Sequence, residues 1–154
     1  MQLTNSILAL VAATSAMAAP AINSARAADS VSAMADVPQW TFNAFTRTCN
    51  ADDTSCTISF DVDTHLAAAT HCAYSVTAAA PAKASRASVN GVTCGAYTIS
   101  SGWSGQFGEG NGFTTWSVVD WSKRLITWPA YSDRELVNGV AVTPNKSFAP
   151  TTLS

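Results

Sequence analysis

Four cysteines behind an apolar leader set the tightest limit on how this chain can fold. Cys49, Cys56, Cys72 and Cys94 form an even set. The run "ILALVAATSAMAA" at 7–19 has the length of a signal-peptide core and is too short to span a bilayer as a helix. Small residues "AMA" at 16–18 fit a cleavage site, although the first six residues carry no Lys or Arg. Read instead as a core helix, the run would have no polar face. The leader therefore predicts export, with residues 1–18 as signal peptide and a secreted, extracellular product. In that compartment four cysteines are most simply two disulfides.

Spacing alone does not choose among the three pairings that four cysteines allow. Strand parity narrows them. In "CTISFDV" (56–62), Cys56, Ile58, Phe60 and Val62 share one face. Cys72 shares a face with Tyr74 and Val76, and Cys94 with Val92. We favour Cys49–Cys56 closing one hairpin and Cys72–Cys94 closing a longer one. A Cys49–Cys94 peptide in a disulfide map would refute that choice. Between the first pair, "NADDTS" reads as a turn, because Asn and Asp side chains bond readily to nearby backbone N–H groups. The EF-hand pattern and the C-x-x-C redox motif are both absent. The spacings of the cysteines with His65 and His71 match no zinc template. No metal and no cofactor are expected.

Residues 19–38 are rich in Ala and Ser and offer little apolar surface to offset the entropy of ordering, so they read as a propeptide or flexible lead. "ARA" at 25–27 is a second processing candidate. The first aromatic residue is Trp40, and residues 39–154 are expected to form a single β-rich domain. Charged residues make up 12% of the chain, about half the usual share, and the net charge is −2. With no basic cluster, nucleic acid is excluded as a partner. No later apolar run is long enough to span a membrane. Lys123–Arg124, the one basic dipeptide, reads as a turn entering a strand.

The remaining pattern is short strands separated by turn signals, among them "NG" at 90–91, 111–112 and 138–139. "WTFNAFTRTC" shifts parity between Phe42 and Phe45, which predicts a bulge. A similar shift is expected at Gly95. "FTTWSVVDW" and "KRLITW" follow, and "NGVAV" (138–142) reads as a last strand or turn. Residues 78–91 are expected to form a long, exposed, mobile hairpin loop. Ser132 and Glu135 form a capping box ahead of Gly139, which predicts a short helix over 131–139. The fold class expected is all-β: an antiparallel β-sandwich or small β-barrel with one short helix and two disulfides.

Residues 100–121 hold five of the eight glycines and three of the five tryptophans. The glycines spell neither a phosphate loop nor a G-x-S-x-G elbow. The plainer reading is an irregular loop whose aromatics pack on the core. The functional reading is a binding surface of Trp103, Phe107, Glu109 and Trp116. Candidates for acid–base chemistry are few. Asp61, Asp63 and His65 alternate on the face opposite Phe60 and Val62, which is the ordinary polar face of a strand. Glu109 could pair with an aspartate as in glycosidases, or His71, Glu109 and Arg47 could make a ribonuclease-like set, but nothing in the sequence brings either together. The chain is not expected to be an enzyme. Asn145, in "NKS", is the only N-glycosylation acceptor, and partial occupancy is expected.

Several blocks together carry a resemblance: Trp40, "RTCN…C" (47–56), "SGWSGQFG" (101–108), "FTTWSVVD" (113–120) and "WPAYSDRELVNG" (128–139). Over residues 40–150 the chain resembles small secreted fungal proteins that induce the hypersensitive response in plants. The resemblance implies a β-rich extracellular elicitor or effector, without catalytic residues, that plant tissue perceives. The expected partner is a plant surface component, and a monomer is expected. The alternative from another class is a carbohydrate-binding protein of the fungal wall using Trp103, Phe107 and Trp116. A small secreted hydrolase or ribonuclease is the third reading.

Overall fold

The computed structural model describes residues 36–153. The signal peptide and most of the lead expected from the sequence lie outside the described residues. Two antiparallel sheets face each other. The smaller contains β1 (Trp40–Cys49), β2 (Ser55–Asp63), β3 (Thr70–Thr77) and, far along the chain, β9 (Lys146–Phe148), in the order β3-β2-β1-β9. The larger contains β4 (Val89–Cys94), β5 (Tyr97–Ser104), β6 (Phe113–Asp120), β7 (Leu125–Thr127), β8 (Ala130–Ser132) and β10 (Thr151–Thr152). Its order is β10-β7-β6-β5-β4, with β8 also pairing β6. The only helical element among the described residues is a 3-10 turn at Ala84–Arg86. The expected all-β class, two-sheet architecture and pair of disulfides are all present.

Period-two alternation explains most of this. Along β2, Cys56, Ile58, Phe60 and Val62 are buried while their neighbours are not. Along β1 the buried set moves from Trp40 and Phe42 to Phe45 and Arg47. The register with β2 slips between Asn43 and Thr46, and Ala44 takes a φ of 49°. This is the expected bulge, and it turns Phe45 into the core. Phe45 is 1% exposed and stacks on Phe60 (ring centroids 4.9 Å apart) and Tyr131 (4.2 Å), with the Trp116 edge at 4.8 Å. The core is therefore aromatic and drawn from both sheets.

Both disulfides pair as expected. Cys49–Cys56 joins directly opposed residues of the β1–β2 hairpin. Cys72–Cys94 joins β3 to β4, and so ties one sheet to the other, with Cα atoms 5.5 Å apart.

Three expectations are corrected, and one is resolved between its alternatives. Residues 131–139 form no helix. The Ser132–Glu135 side-chain bonds do form, Glu135 Oε2 accepting from Ser132 N–H (2.8 Å) and from Ser132 Oγ (2.9 Å). After one turn, however, the Asn138 side chain and the Gly139 N–H bond to Cys49 and Arg47 of β1, which pulls the chain out of helical geometry. Gly95 is a hairpin turn residue with φ 56°, between the paired Cys94 and Tyr97, and not a shift within one strand. Of the two readings of 138–142 the turn is the one found, at Asn138–Gly139, where Val140 N–H bonds to Val137 O and Gly139 has φ 71°; Val142 N–H bonds to Phe45 O, and the last strands are β9 and β10. The 78–91 segment is anchored. Ala84 is buried, and Asp53 accepts from Ser85 N–H (2.8 Å) and Ser85 Oγ (2.6 Å). β4 already begins at Val89.

The β6–β7 hairpin carries a pH-sensitive group. Burial alone would raise the Asp120 carboxyl. The Ser122 hydroxyl (2.6 Å), the Lys123 N–H (3.0 Å) and the Lys123 ammonium more than offset it, leaving Asp120 below its ordinary value. A carboxyl depressed in the folded state adds stability above its unfolded value, near ~3.9, and loses it as pH falls through the folded value. Acid unfolding followed by circular dichroism is expected to steepen below about pH 4. Asp120→Asn should flatten that limb; an unchanged acid limb would contradict the assignment.

Candidate functional site

Strand β5 carries Trp103 inward at its end, and the chain then loops through residues 105–112 before β6 begins. A Cβ on either Gly105 or Gly112 would collide with the Trp103 indole. These two glycines are required by close approach, because the loop wraps the ring edge. The indole N–H donates to Asp133 Oδ2 at 2.9 Å. Asp133 Oδ1 accepts from Arg47 Nη1 at 2.9 Å, and Asp133 N–H donates to Gly112 O at 2.9 Å. Arg47 also donates to Ser85 O at 3.2 Å. The Arg86 guanidinium sits 4.8 Å from the Trp103 ring centre, within cation–π range. Asp133 thus ties the glycine loop and β5 to β1, and Arg47 carries the link on to the 3-10 turn.

The result is a cavity of about 450 Å³ bordered by Arg86, Trp103, Glu109, Asp133 and the loop glycines. It offers one cation, two carboxylates and an indole edge. Arg134 holds the loop from outside, donating to Gly110 O (3.0 Å) and Asn111 Oδ1 (2.9 Å). Such a rim can recognise a polar group from several directions.

Asp133→Ala would leave the nearly buried Arg47 guanidinium with only the Ser85 carbonyl and no carboxylate, and the Trp103 N–H without its acceptor. The expected loss is about 2–3 kcal/mol in urea unfolding, with Asp133→Asn losing less because one acceptor oxygen survives. Equal stability of all three proteins would show that the bonds contribute nothing.

The residues expected at a binding surface are split. Trp103 is half-buried beneath the loop and Glu109 is exposed at the cavity rim. Phe107 is 65% exposed and stacks on Phe113 (5.7 Å). Trp116 is a correction: it is 2% exposed and donates from Nε1 to the Tyr74 hydroxyl at 2.8 Å inside the core. Burial pushes the Tyr74 phenol up to about 12, so it stays protonated. Trp103, Phe107 and Trp116 therefore share no common exposed face: Trp103 and Trp116 are turned inward on neighbouring strands and Phe107 alone is outside. Asn145 is exposed, but its amide spans the β1 bulge, accepting from Ala44 N–H (3.1 Å) and donating to Asn43 Oδ1 (2.8 Å).

The histidines lie elsewhere, at the outer face of the smaller sheet. His71 Nδ1 is 2.6 Å from Asp61 Oδ1 of the neighbouring strand, and His65 lies 3.6 Å from Asp63. Arg47 is inward on β1, bonded to Asp133, and Glu109 is in the glycine loop; the ribonuclease-like set is not brought together. Cys49, Asp53 and Cys56 have atoms close enough for a metal. The two sulfurs are joined to each other and both Asp53 oxygens accept from Ser85, so these atoms are already committed.

The sequence reading missed Asp133 and Arg86 as parts of the site. The inward parity of Arg47 in "FTRTC" was the one visible signal, since an inward cation requires a buried acceptor.

An all-β body tied within and between its sheets by disulfides, with irregular loops gathered around an indole, defines a small disulfide-bonded protein of two packed antiparallel sheets. Residues 41–153 match the family described as Effector TSP1. The Effector TSP1 protein of Hypocrea virens (strain Gv29-8 / FGSC 10586) is 54% identical over 154 residues, which cover 99% of both chains. The chain belongs to the Effector TSP1 family. Among the described residues no helix is long and apolar enough to cross a membrane.

Proposed function

We propose that this protein is a secreted effector that plant tissue perceives through its folded surface, without turnover of a substrate. Membership in a fungal effector family supports the first half of this reading. The observation that carries the second half is the use to which the polar groups at Trp103 are put. Both Asp133 oxygens and the Arg47 guanidinium are occupied in holding the glycine loop, and the histidines sit with strand carboxylates on the other sheet. The loop-borne rim of Glu109, Arg86 and exposed Phe107 is then the part offered to a plant surface component.

The test is infiltration of leaf tissue with the protein secreted from the full-length chain. Local defence or cell death is expected at micromolar dose. His65→Ala and His71→Ala are expected to act like the unmodified protein, and removal of both disulfides to abolish the response. A response lost on a single histidine substitution with the fold intact would overturn the non-catalytic reading. Activity that survives boiling and reduction would show that a linear peptide is perceived.

A further inference from the structure

The dipeptide Asn-Gly occurs three times, at 90–91, 111–112 and 138–139, and the fold treats the three differently. The pair is chemically special because glycine puts no side chain in the way when its own nitrogen attacks the preceding Asn amide. Asn138 is held at both ends of its amide: Oδ1 accepts from Cys49 N–H (2.6 Å) and Nδ2 donates to Cys49 O (3.2 Å). The attacking atom, Gly139 N, is engaged as well, donating to Arg47 O at 3.0 Å. Asn111 Oδ1 accepts from Arg134 Nη2 (2.9 Å), and its Nδ2 donates to Phe107 O (3.2 Å). Gly112 beside it is hemmed in by the Trp103 indole and Asp133.

Asn90 has none of these restraints. It is exposed, in β4, the end strand of the larger sheet. The register with β5 slips between Val89 and Val92, so Asn90 and Gly91 bulge out of the ladder. Gly91 has φ 69°, and the space where a Cβ would stand is open. Among the described residues nothing bonds the Asn90 side chain, and Gly91 N–H donates to the Ser100 hydroxyl at 3.0 Å. A hydroxyl both accepts and donates, so it can pass a proton on to solvent, which the Arg47 carbonyl facing Gly139 cannot.

We propose that Asn90–Gly91 is a self-modification site, at which Asn90 turns into isoaspartate and aspartate while the folded structure holds the other two pairs unreactive. Gly91 N gives up its proton to solvent and attacks Asn90 Cγ. The new N–Cγ bond closes a five-membered succinimide, the Cγ–Nδ2 bond breaks, and Nδ2 leaves as ammonia after taking a proton from solvent. Water then opens the ring. Addition at the main-chain carbonyl carbon of Asn90 gives isoaspartate, and addition at Cγ gives aspartate. Nothing is oxidised or reduced: amide and water become carboxylic acid and ammonia. The product carries a new carboxylate at the groove that Asn90 shares with Ser100, Ser101, Thr115 and Ser117, none of them charged. Isoaspartate also lengthens the main chain by one carbon, and a bulge on an end strand takes up that extra length outside the paired rungs. This inference stands apart from the leaf-perception reading and does not rest on it.

The experiment is storage of the secreted, disulfide-intact protein in warm, mildly alkaline buffer, with peptide mapping by mass spectrometry over time. Conversion is expected first at Asn90, with both isoaspartate and aspartate recovered. Asn111 and Asn138 should be slower by at least about tenfold, the ratio that about 1.4 kcal/mol of local structure supplies. Reduced protein in urea should convert all three at similar rates, because the restraint comes from the fold and not from sequence neighbours. Arg134→Ala releases Asn111 Oδ1 and should raise the rate at Asn111 in the folded protein. Asn90→Gln should remove the early gain of negative charge seen by isoelectric focusing, since Gln would have to close a larger ring. No conversion at Asn90 in the folded protein, or conversion of Asn111 or Asn138 at an equal or higher rate, would overturn the proposal. So would a tenfold preference for Asn90 that persists in the unfolded chain, an early charge gain that survives Asn90→Gln, or an Asn111 rate that Arg134→Ala leaves unchanged or lowers.

Discussion

Phe45→Ala is expected to lower the free energy of unfolding by about 3–5 kcal/mol. The phenyl ring touches the rings of Phe60, Trp116 and Tyr131, which come from both sheets. Its removal leaves a void that cannot collapse easily, because the bulge at Ala44 fixes the backbone that carries it. Phe45→Leu should cost much less, since most of the volume is kept. Urea unfolding monitored by tryptophan fluorescence reads both. A loss below about 1 kcal/mol for the alanine variant would mean that the core is less dense than its aromatic contacts indicate.

The second large effect concerns the two bridges, and it is unequal. Restriction of the unfolded chain grows with the loop that a bridge closes. The 22-residue separation of Cys72 and Cys94 gives about 3.4 kcal/mol, and the 7-residue separation of Cys49 and Cys56 gives about 2.4 kcal/mol. The longer bridge also joins β3 to β4 across the two sheets, whereas the β1–β2 hairpin already has a paired register without its bridge. Cys72→Ala/Cys94→Ala is therefore expected to lower the thermal midpoint more than Cys49→Ala/Cys56→Ala. For a domain of this size the former removes a large share of a total near 5–15 kcal/mol. The reverse order would show that the hairpin bridge, and not the inter-sheet bridge, holds the native state together.

What could be read from the residues alone followed from how local each signal is. Period-two alternation in "CTISFDV" and the parity break in "FNAF" are properties of neighbouring residues, and both appear in the fold as expected. The capping box of Ser132 and Glu135 is equally local, and its bonds form. A helix needs further turns, and those residues had a stronger use at the edge of β1, which no local signal reports. The tryptophans failed differently. In "FTTWSVVDW", apolar side chains occupy both parities: Trp116 and Val118 on one, Phe113, Val119 and Trp121 on the other. Alternation could not tell which ring would be buried. Pairing with β5 and β7 on the two sides of β6 decides it, and that depends on residues far along the chain. Asp133 was hidden because its partners, Arg47 and Trp103, lie in two other strands.

The segment after β8 also has a colloidal consequence. Beyond the three residues that β9 covers, β1 would present bare peptide groups along its flank, an invitation for strands of other molecules to add on. Residues 138–142 answer them one by one. Asn138 mimics a peptide unit, accepting from Cys49 N–H (2.6 Å) and donating to Cys49 O (3.2 Å), while Gly139 and Val142 donate to Arg47 and Phe45. The flank is sealed by an irregular stretch that is not itself a strand and so offers no fresh edge of its own. Covering this flank leaves the β1 side of the smaller sheet without a free row of peptide groups onto which a strand of another molecule could add.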